Sequence, residues 1–201
     1  MSVIIFVRHG KSEKNVEGLL NSEPEGPALV KEGIEKAKQT AKELRKLKIS
    51  KVYCSPMLRA RQTAEIVCKE LKLKPIIDER LADRDLGKMN NKSTMDGEWK
   101  FYVDLDEMEV ESLKSMQARV ISFMESVSKL NEIVVAVSHD GPIKSAITYA
   151  LDINPLLESG LKPTYATMNV IVTKPYGVLA ISYPILTEEL IKKINSHMGK
   201  R

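Results

Sequence analysis

A chain of 201 residues, 43% hydrophobic and 29% charged, is long enough to bury one well-packed core and too ordinary in composition for a disordered or fibrous protein. Its net charge of +4 is small and its lysines are spread along helical faces, which argues against a nucleic-acid surface. No run approaches the roughly 18 apolar residues of a membrane span, and the N-terminus lacks a basic region followed by an apolar core and a cleavage site, so the expectation is a soluble, cytoplasmic protein without a membrane partner. Cys54 and Cys68, the only cysteines, read as buried free thiols, because two cysteines make neither a disulfide framework nor a zinc site.

In chain order, Val3 to Val7 is a continuous apolar run that predicts a buried strand, and it ends in Arg8-His9-Gly10. Lys11 to Pro27 has no periodicity and reads as a loop. Val30, Ile34, Ala37, Ala41 and Leu44 step by four and three, one face of an amphipathic helix. Lys51 to Cys54 is a second strand. It runs into Ser55-Pro56, a suitable cap and first position for a helix that carries Arg59 in its first turn and continues to Leu71. Pro75 to Ile77 resembles a short strand, and the stretch from Lys88 to Glu111 is irregular, with Trp99, Phe101 and Tyr102 expected to pack onto the body. A helix fills Glu111 to Leu130. Ile133 to Val137 is a third apolar strand ending in Ser138-His139-Asp140-Gly141, and a helix from Gly141-Pro142 runs to Leu151. Met168 to Thr173 and Val178 to Tyr183 predict a hairpin at the sheet edge, and Thr187 to His197 a terminal helix. Strands alternating with helices indicate an α/β fold, a mainly parallel central sheet with helices on both faces, in a single domain over 1–201 with 88–111 as a small cap or lid.

Three strand ends carry the chemistry. In an open parallel sheet, ligands bind outside the carboxyl ends of the strands, so Arg8-His9, Ser55 to Arg59 and Ser138-His139 can converge on one pocket. Two arginines, two histidines and the starts of helices suit a phosphate, since guanidinium forks and free backbone N–H groups both match its oxygens. A neutral imidazole can attack phosphorus, and His9 is the candidate nucleophile. The remaining histidine, His197, falls in the tail and reads as solvated. Arg61 is expected to point away from the site, and Asp85 to be a solvated loop carboxylate.

Arg8-His9-Gly10 with Ser12, Asn15 and Gly18, then Ser55-Pro56-Met57-Leu58-Arg59-Ala60 with Gln62-Thr63-Ala64, then Ser138-His139, resembles the histidine phosphatase superfamily, the phosphoglycerate mutase-like proteins, over nearly the whole chain. The resemblance implies a phosphoglycerate mutase-like fold, His9 as phosphoacceptor, Arg8, Arg59 and His139 as a phosphate pocket, and Asn15 as a further hydrogen-bond donor to the phosphoryl group. It implies no metal and no cofactor.

The resemblance also bears on the proton donor. The mutase branch places a Glu four residues before a Gly, where this chain has Asp83 ahead of Gly87, and since the first two motifs resemble that branch more closely Asp83 is the expected donor; Asp140, beside the second histidine, is the alternative, because the acid phosphatase branch uses an Asp there. Either must be protonated to act, and since the reference pKa of Asp is about 3.9 against about 4.3 for Glu, an acid-shifted optimum is expected. Lys88-Met89-Asn90-Asn91 departs from the aromatic and glycine that often follow in the family. The short 88–111 segment favours a metal-independent phosphomonoester phosphatase over a cofactor-dependent phosphoglycerate mutase or other phosphotransferase. A catalytically silent phospholigand-binding protein is the alternative of a different class, and a metal-dependent phosphohydrolase lacks ligands. The expected partner is a small phosphorylated substrate, with the chain a monomer or homodimer.

Overall fold

The computed structural model describes residues 1–93, 106–154 and 160–199. Six strands form one sheet: β1 (Val3–Arg8), β2 (Lys51–Cys54), β3 (Pro75–Ile77), β4 (Ile133–Ser138), β5 (Met168–Val172) and β6 (Gly177–Tyr183), in the order β3-β2-β4-β1-β5-β6. The first four run parallel, and the β5–β6 hairpin adds antiparallel to β1, leaving β6 at the edge. The mainly parallel α/β sheet expected from the strand-helix alternation is therefore present.

The unbroken apolar runs of β1 and β4 follow from burial on both faces. Val3, Ile5 and Val7 point into one core with α2 (Lys31–Leu44), α3 (Leu58–Leu71) and α6 (Glu188–Gly199). Ile4 and Phe6 point into the other with α4 (Leu113–Ser128) and α5 (Asp140–Ala150). There Phe123 meets Phe6 and Tyr53 edge-on, at centroid distances of 6.1 and 5.4 Å.

Register is what builds the site. Arg8 lies opposite Ser138 and Cys54 opposite Val137, so β1, β2 and β4 end on one row. Two backbone bonds carry that row one step further, His9 N–H to the Ser138 carbonyl at 2.9 Å and Ser55 N–H to the Val137 carbonyl at 3.0 Å. Asp78 N–H bonds the Cys54 carbonyl at 2.9 Å and Ser138 Oγ bonds the Leu81 carbonyl at 2.7 Å, which draws the segment after β3 to the same end.

Local elements differ from the sequence expectation in several places. The 11–27 loop contains a short helix, α1 (Glu13–Glu17), closed by a left-handed Gly18. Ser55 does not cap α3: the helix starts at Leu58 with Met57 as its cap, and the Ser55 hydroxyl accepts Met57 N–H and lies against His139 Nε2. Helix α4 starts at Leu113, where Ser112 Oγ accepts the Ser115 N–H, and α5 starts one residue early, at Asp140. The described parts of 88–111 include a 3-10 turn at Asp106–Met108, and another turn, Gly87–Met89, leads into them. Trp99, Phe101 and Tyr102 lie outside the described residues.

Candidate active site

His9 leaves β1 nearly fully buried, 3% exposed. Its Nδ1 lies 2.7 Å from the Gly10 carbonyl. A carbonyl oxygen only accepts, so Nδ1 carries the proton and Nε2 keeps a lone pair. Arg59 Nε, from the first turn of α3, donates to that Nε2 at 3.3 Å. Burial first, then the charges of His139, Arg59 and Arg8, hold the His9 imidazole well below the ordinary histidine range. The ring is a neutral base with its lone pair held beside a guanidinium.

His139, fully buried at the cap of α5, lies with its ring centroid 5.0 Å from that of His9. Its Nε2 sits 2.7 Å from Ser55 Oγ. Nδ1 faces the Asp83 carboxylate, which only accepts, so His139 bears its hydrogen on Nδ1 and Nε2 takes the Ser55 hydroxyl proton, that hydroxyl also accepting Met57 N–H at 3.2 Å. Nδ1 is 3.3 Å from Asp83 Oδ2 but not aligned for a hydrogen bond, and it is one of two buried side-chain polar atoms without a partner among the described residues. The other is Arg8 Nε. Unpaired buried donors are costly, and two of them around one pocket are what an anion satisfies. Burial and the charges of Arg59, Arg8 and Arg119 also hold the His139 imidazole well below the ordinary range.

The arginines are held from behind. Arg59, 2% exposed, donates to Asn21 Oδ1 at 3.1 Å, to the Asn21 carbonyl at 3.0 Å and to Asp83 Oδ2 at 2.9 Å. Arg8 donates to the Pro163 carbonyl at 2.7 Å and to Asp140 Oδ1 at 3.1 Å, with its guanidinium 4.1 Å over the Tyr165 ring. Lys144 takes the other Asp140 oxygen at 2.6 Å. Asn15, on α1, spends Oδ1 on Ser12 N–H and Ser12 Oγ–H, which leaves its NH₂ as the group to offer the pocket.

All the sequence-expected residues are therefore gathered at one end of the sheet. Arg8, His9, Asn15, Arg59, Asp83 and Asp140 line a pocket of about 370 Å³, and His139, fully buried and not part of that lining, sits with its ring 5.0 Å from that of His9. One wall is apolar, built by Leu20, Leu86, Met89, Val110, Leu113 and Met116. The two carboxylates occupy different places: Asp83 is beside Arg59 and His139, whereas Asp140 is fixed between Arg8 and Lys144.

Residues expected elsewhere stay out of the pocket lining. Arg61 turns outward to a two-pronged pair with Glu25, at 2.9 and 2.8 Å. Asp85 is exposed and accepts Gly87 N–H at 2.9 Å, and His197 sits on the terminal helix with Nδ1 2.8 Å from the Lys193 carbonyl. Cys54 and Cys68 are buried free thiols, pushed up by burial to about 12 and about 11. Sequence reasoning missed Asn21, Tyr165 and Lys144 and took Ser55 for a cap. Only Lys144 left a signal, its i,i+4 spacing from Asp140.

Fold and site together define a phosphoryl-handling α/β protein built around a buried histidine pair. The family model for the histidine phosphatase superfamily (branch 1) matches residues 4–183, and the chain belongs to that family. It is 29% identical over 201 residues to a 2,3-bisphosphoglycerate-dependent phosphoglycerate mutase of Thermoplasma acidophilum, covering 97% of this chain and 99% of that one. It is 30% identical over 161 residues to phosphoserine phosphatase 1 of Hydrogenobacter thermophilus, covering 72% and 74%. The fold is similar to that of a phosphoserine phosphatase from Entamoeba histolytica, with a TM-score of 0.79 at 19% identity over 94% of this chain and 100% of that chain. It is also similar to YhfR of Bacillus stearothermophilus, with a TM-score of 0.79 at 23% identity over 91% and 98%.

Proposed function

We propose that this histidine phosphatase is a metal-independent phosphomonoesterase that works through a phosphohistidine on His9. The observation that carries the proposal is the unprotonated His9 Nε2, its lone pair held by Arg59 Nε at 3.3 Å, at a site where Arg59, Arg8 and the unpaired His139 Nδ1 supply donors for the oxygens of one phosphoryl group. In the first step the Nε2 lone pair forms the N–P bond while the bond from phosphorus to the ester oxygen breaks. Asp83 gives its proton to the departing alkoxide and becomes a carboxylate. That carboxylate then takes a proton from water as the water attacks phosphorus, the N–P bond breaks, and phosphate leaves with His9 again neutral. Arg8, Arg59, His139 and the Asn15 amide stabilise the charge on the transferring group.

Asp83 is preferred over Asp140 as donor because its Oδ2 is 2.9 Å from Arg59 Nη2 and 3.3 Å from His139 Nδ1, beside the groups that would hold the phosphoryl oxygens, whereas Asp140 is fixed between Arg8 and Lys144. The apolar wall suits a small monoester whose alcohol part carries some apolar surface. One domain is proposed for the chain, with the 24 residues of 88–111 as its cap; so short a cover favours water over return of the phosphoryl group to product. The end-to-end likeness to the Thermoplasma mutase keeps a second reading, cofactor-dependent phosphoglycerate mutase, in play.

The test is a burst and trapping experiment with p-nitrophenyl phosphate in excess chelator. Wild type is expected to release phosphate and to yield acid-labile, base-stable phosphoenzyme, and His9→Ala to lose both, with turnover down by roughly a thousandfold or more. Label retained in His9→Ala would remove His9 as nucleophile, and silence of the wild type would leave a phospholigand binder. Interconversion of phosphoglycerates that depends on 2,3-bisphosphoglycerate and outruns hydrolysis would establish the mutase.

A further inference from the structure

We infer that Arg119, on α4 and outside all three strand-end motifs, is the positioning residue for the proton donor; the inference rests on Asp83 being that donor. Asp83 follows the 3-10 turn Glu79–Leu81 and belongs to neither a helix nor a strand. Its carboxylate is set by its backbone, and that backbone is gripped by one guanidinium. Arg119 Nη1 donates to the Arg80 carbonyl at 3.0 Å and the Ala82 carbonyl at 2.7 Å, and Nη2 donates to the Asp83 carbonyl at 3.0 Å.

The remaining donors are also spent. Nε reaches Glu111 Oε1 at 2.8 Å and Nη2 reaches Glu111 Oε2 at 2.8 Å. A guanidinium has five N–H donors, and all five are now assigned, so Arg119 has none to offer a phosphate and acts only through the segment it holds. Glu111 in turn ties the same segment again: its N–H bonds the Asp85 carbonyl at 2.9 Å, and its carbonyl accepts Arg84 Nε at 2.6 Å. Behind Asp83 lies an open cleft lined by Ala82, Glu109, Glu111 and Arg119 rather than packed core. Polar clamping replaces apolar packing as what fixes this loop. A misplaced donor costs rate even when nucleophile and phosphate pocket are intact.

The leaving group separates positioning from general damage. p-Nitrophenolate departs without a proton, whereas the alkoxide of glycerol phosphate needs one. Values of kcat/KM on both substrates should be compared for wild type, Asp83→Asn, Arg119→Met and Arg119→Lys. Arg119→Met is expected to lose roughly ten- to a hundredfold on glycerol phosphate with p-nitrophenyl phosphate hydrolysis held within about threefold. Arg119→Lys, one ammonium facing three carbonyls, should show the same bias, smaller. Because the ratio of the two rates is independent of the amount of folded enzyme, partial unfolding does not imitate the effect; if Arg119→Met does not fold, Arg119→Lys carries the test. Equal losses on both substrates in the Arg119 variants, with a biased loss in Asp83→Asn, would overturn the positioning role and leave the donor standing. An unbiased Asp83→Asn would overturn the donor, and the positioning role with it.

Discussion

At the scale of single residues, the site depends on keeping two imidazoles uncharged among cations. His9 and His139, with ring centroids 5.0 Å apart, are both held below the ordinary range, chiefly by burial and then by neighbouring charge. The sign for activity follows. A nucleophile that resists protonation stays active as pH falls, so the acid limb of kcat/KM contributed by this pair lies below pH 6.5. Measured from pH 8 to 4, kcat/KM for p-nitrophenyl phosphate is expected to hold through pH 6; a limb with an apparent pKa at or above 6.5 would contradict the neutral buried pair. Strand ends armed with Arg8, His9 and His139 were legible in the sequence, since a polar residue that ends an apolar run has little choice of place. The partners of these residues were not. Asn21 reaches Arg59 and Tyr165 reaches Arg8 from loops with no periodicity, and Ser55, whose type suits a helix cap, gives its hydroxyl to His139 instead.

At the scale of elements, the Arg8-His9-Gly10 turn is seated on the first turn of α2. A Cβ on Gly33 would lie 2.2 Å from the Lys11 carbonyl oxygen, and one on Gly10 2.7 Å from the Gly33 carbonyl oxygen. Backbone meets backbone there, so neither position has a flexible neighbour that can yield. In an ordinary helix Gly→Ala stabilises by roughly 0.5–1 kcal/mol. At Gly33 overpacking reverses the sign, and Gly33→Ala is expected to destabilise by about 1–3 kcal/mol, with activity falling as the His9 turn is displaced. Thermal melting decides it, an unchanged or raised Tm being the contrary result. The amphipathic spacing from Val30 to Leu44 identified this helix, yet nothing in that spacing says its third residue touches the nucleophile's turn. Similarly, Gly87 has φ +46, and a Cβ on it would meet the Met108 and Glu109 carbonyl oxygens at 2.3 and 2.5 Å, a crossing that sequence spacing does not reveal.

For the molecule as a whole, the depressed imidazoles link stability to pH. Below pH 6.5 the unfolded chain binds protons at positions 9 and 139 that the folded chain refuses. Their contribution is therefore complete above 6.5 and is lost progressively as pH falls toward the folded values. Glu111 adds a carboxylate share: burial pushes its carboxyl up, but the two Arg119 bonds and nearby charge leave it below the ordinary carboxylate range, so that share is lost as pH falls through the carboxylate region. Urea midpoints at pH 7.5, 6.0 and 5.0 are expected to fall for the wild type and to fall less for His9→Ala/His139→Ala; a wild-type midpoint that is flat across this range would count against the linkage. By itself, the sequence determined the alternation of strands and helices, the apolar runs buried on both faces, and the residue types offered at three strand ends, because each is written in spacings of a few residues. Only the tertiary structure decided that Arg8 lies opposite Ser138 and Cys54 opposite Val137, and that one arginine of α4 holds the loop carrying Asp83. Strand register and long-range hydrogen bonds join residues tens to more than a hundred positions apart, and local periodicity carries no record of which partner the packed core will select.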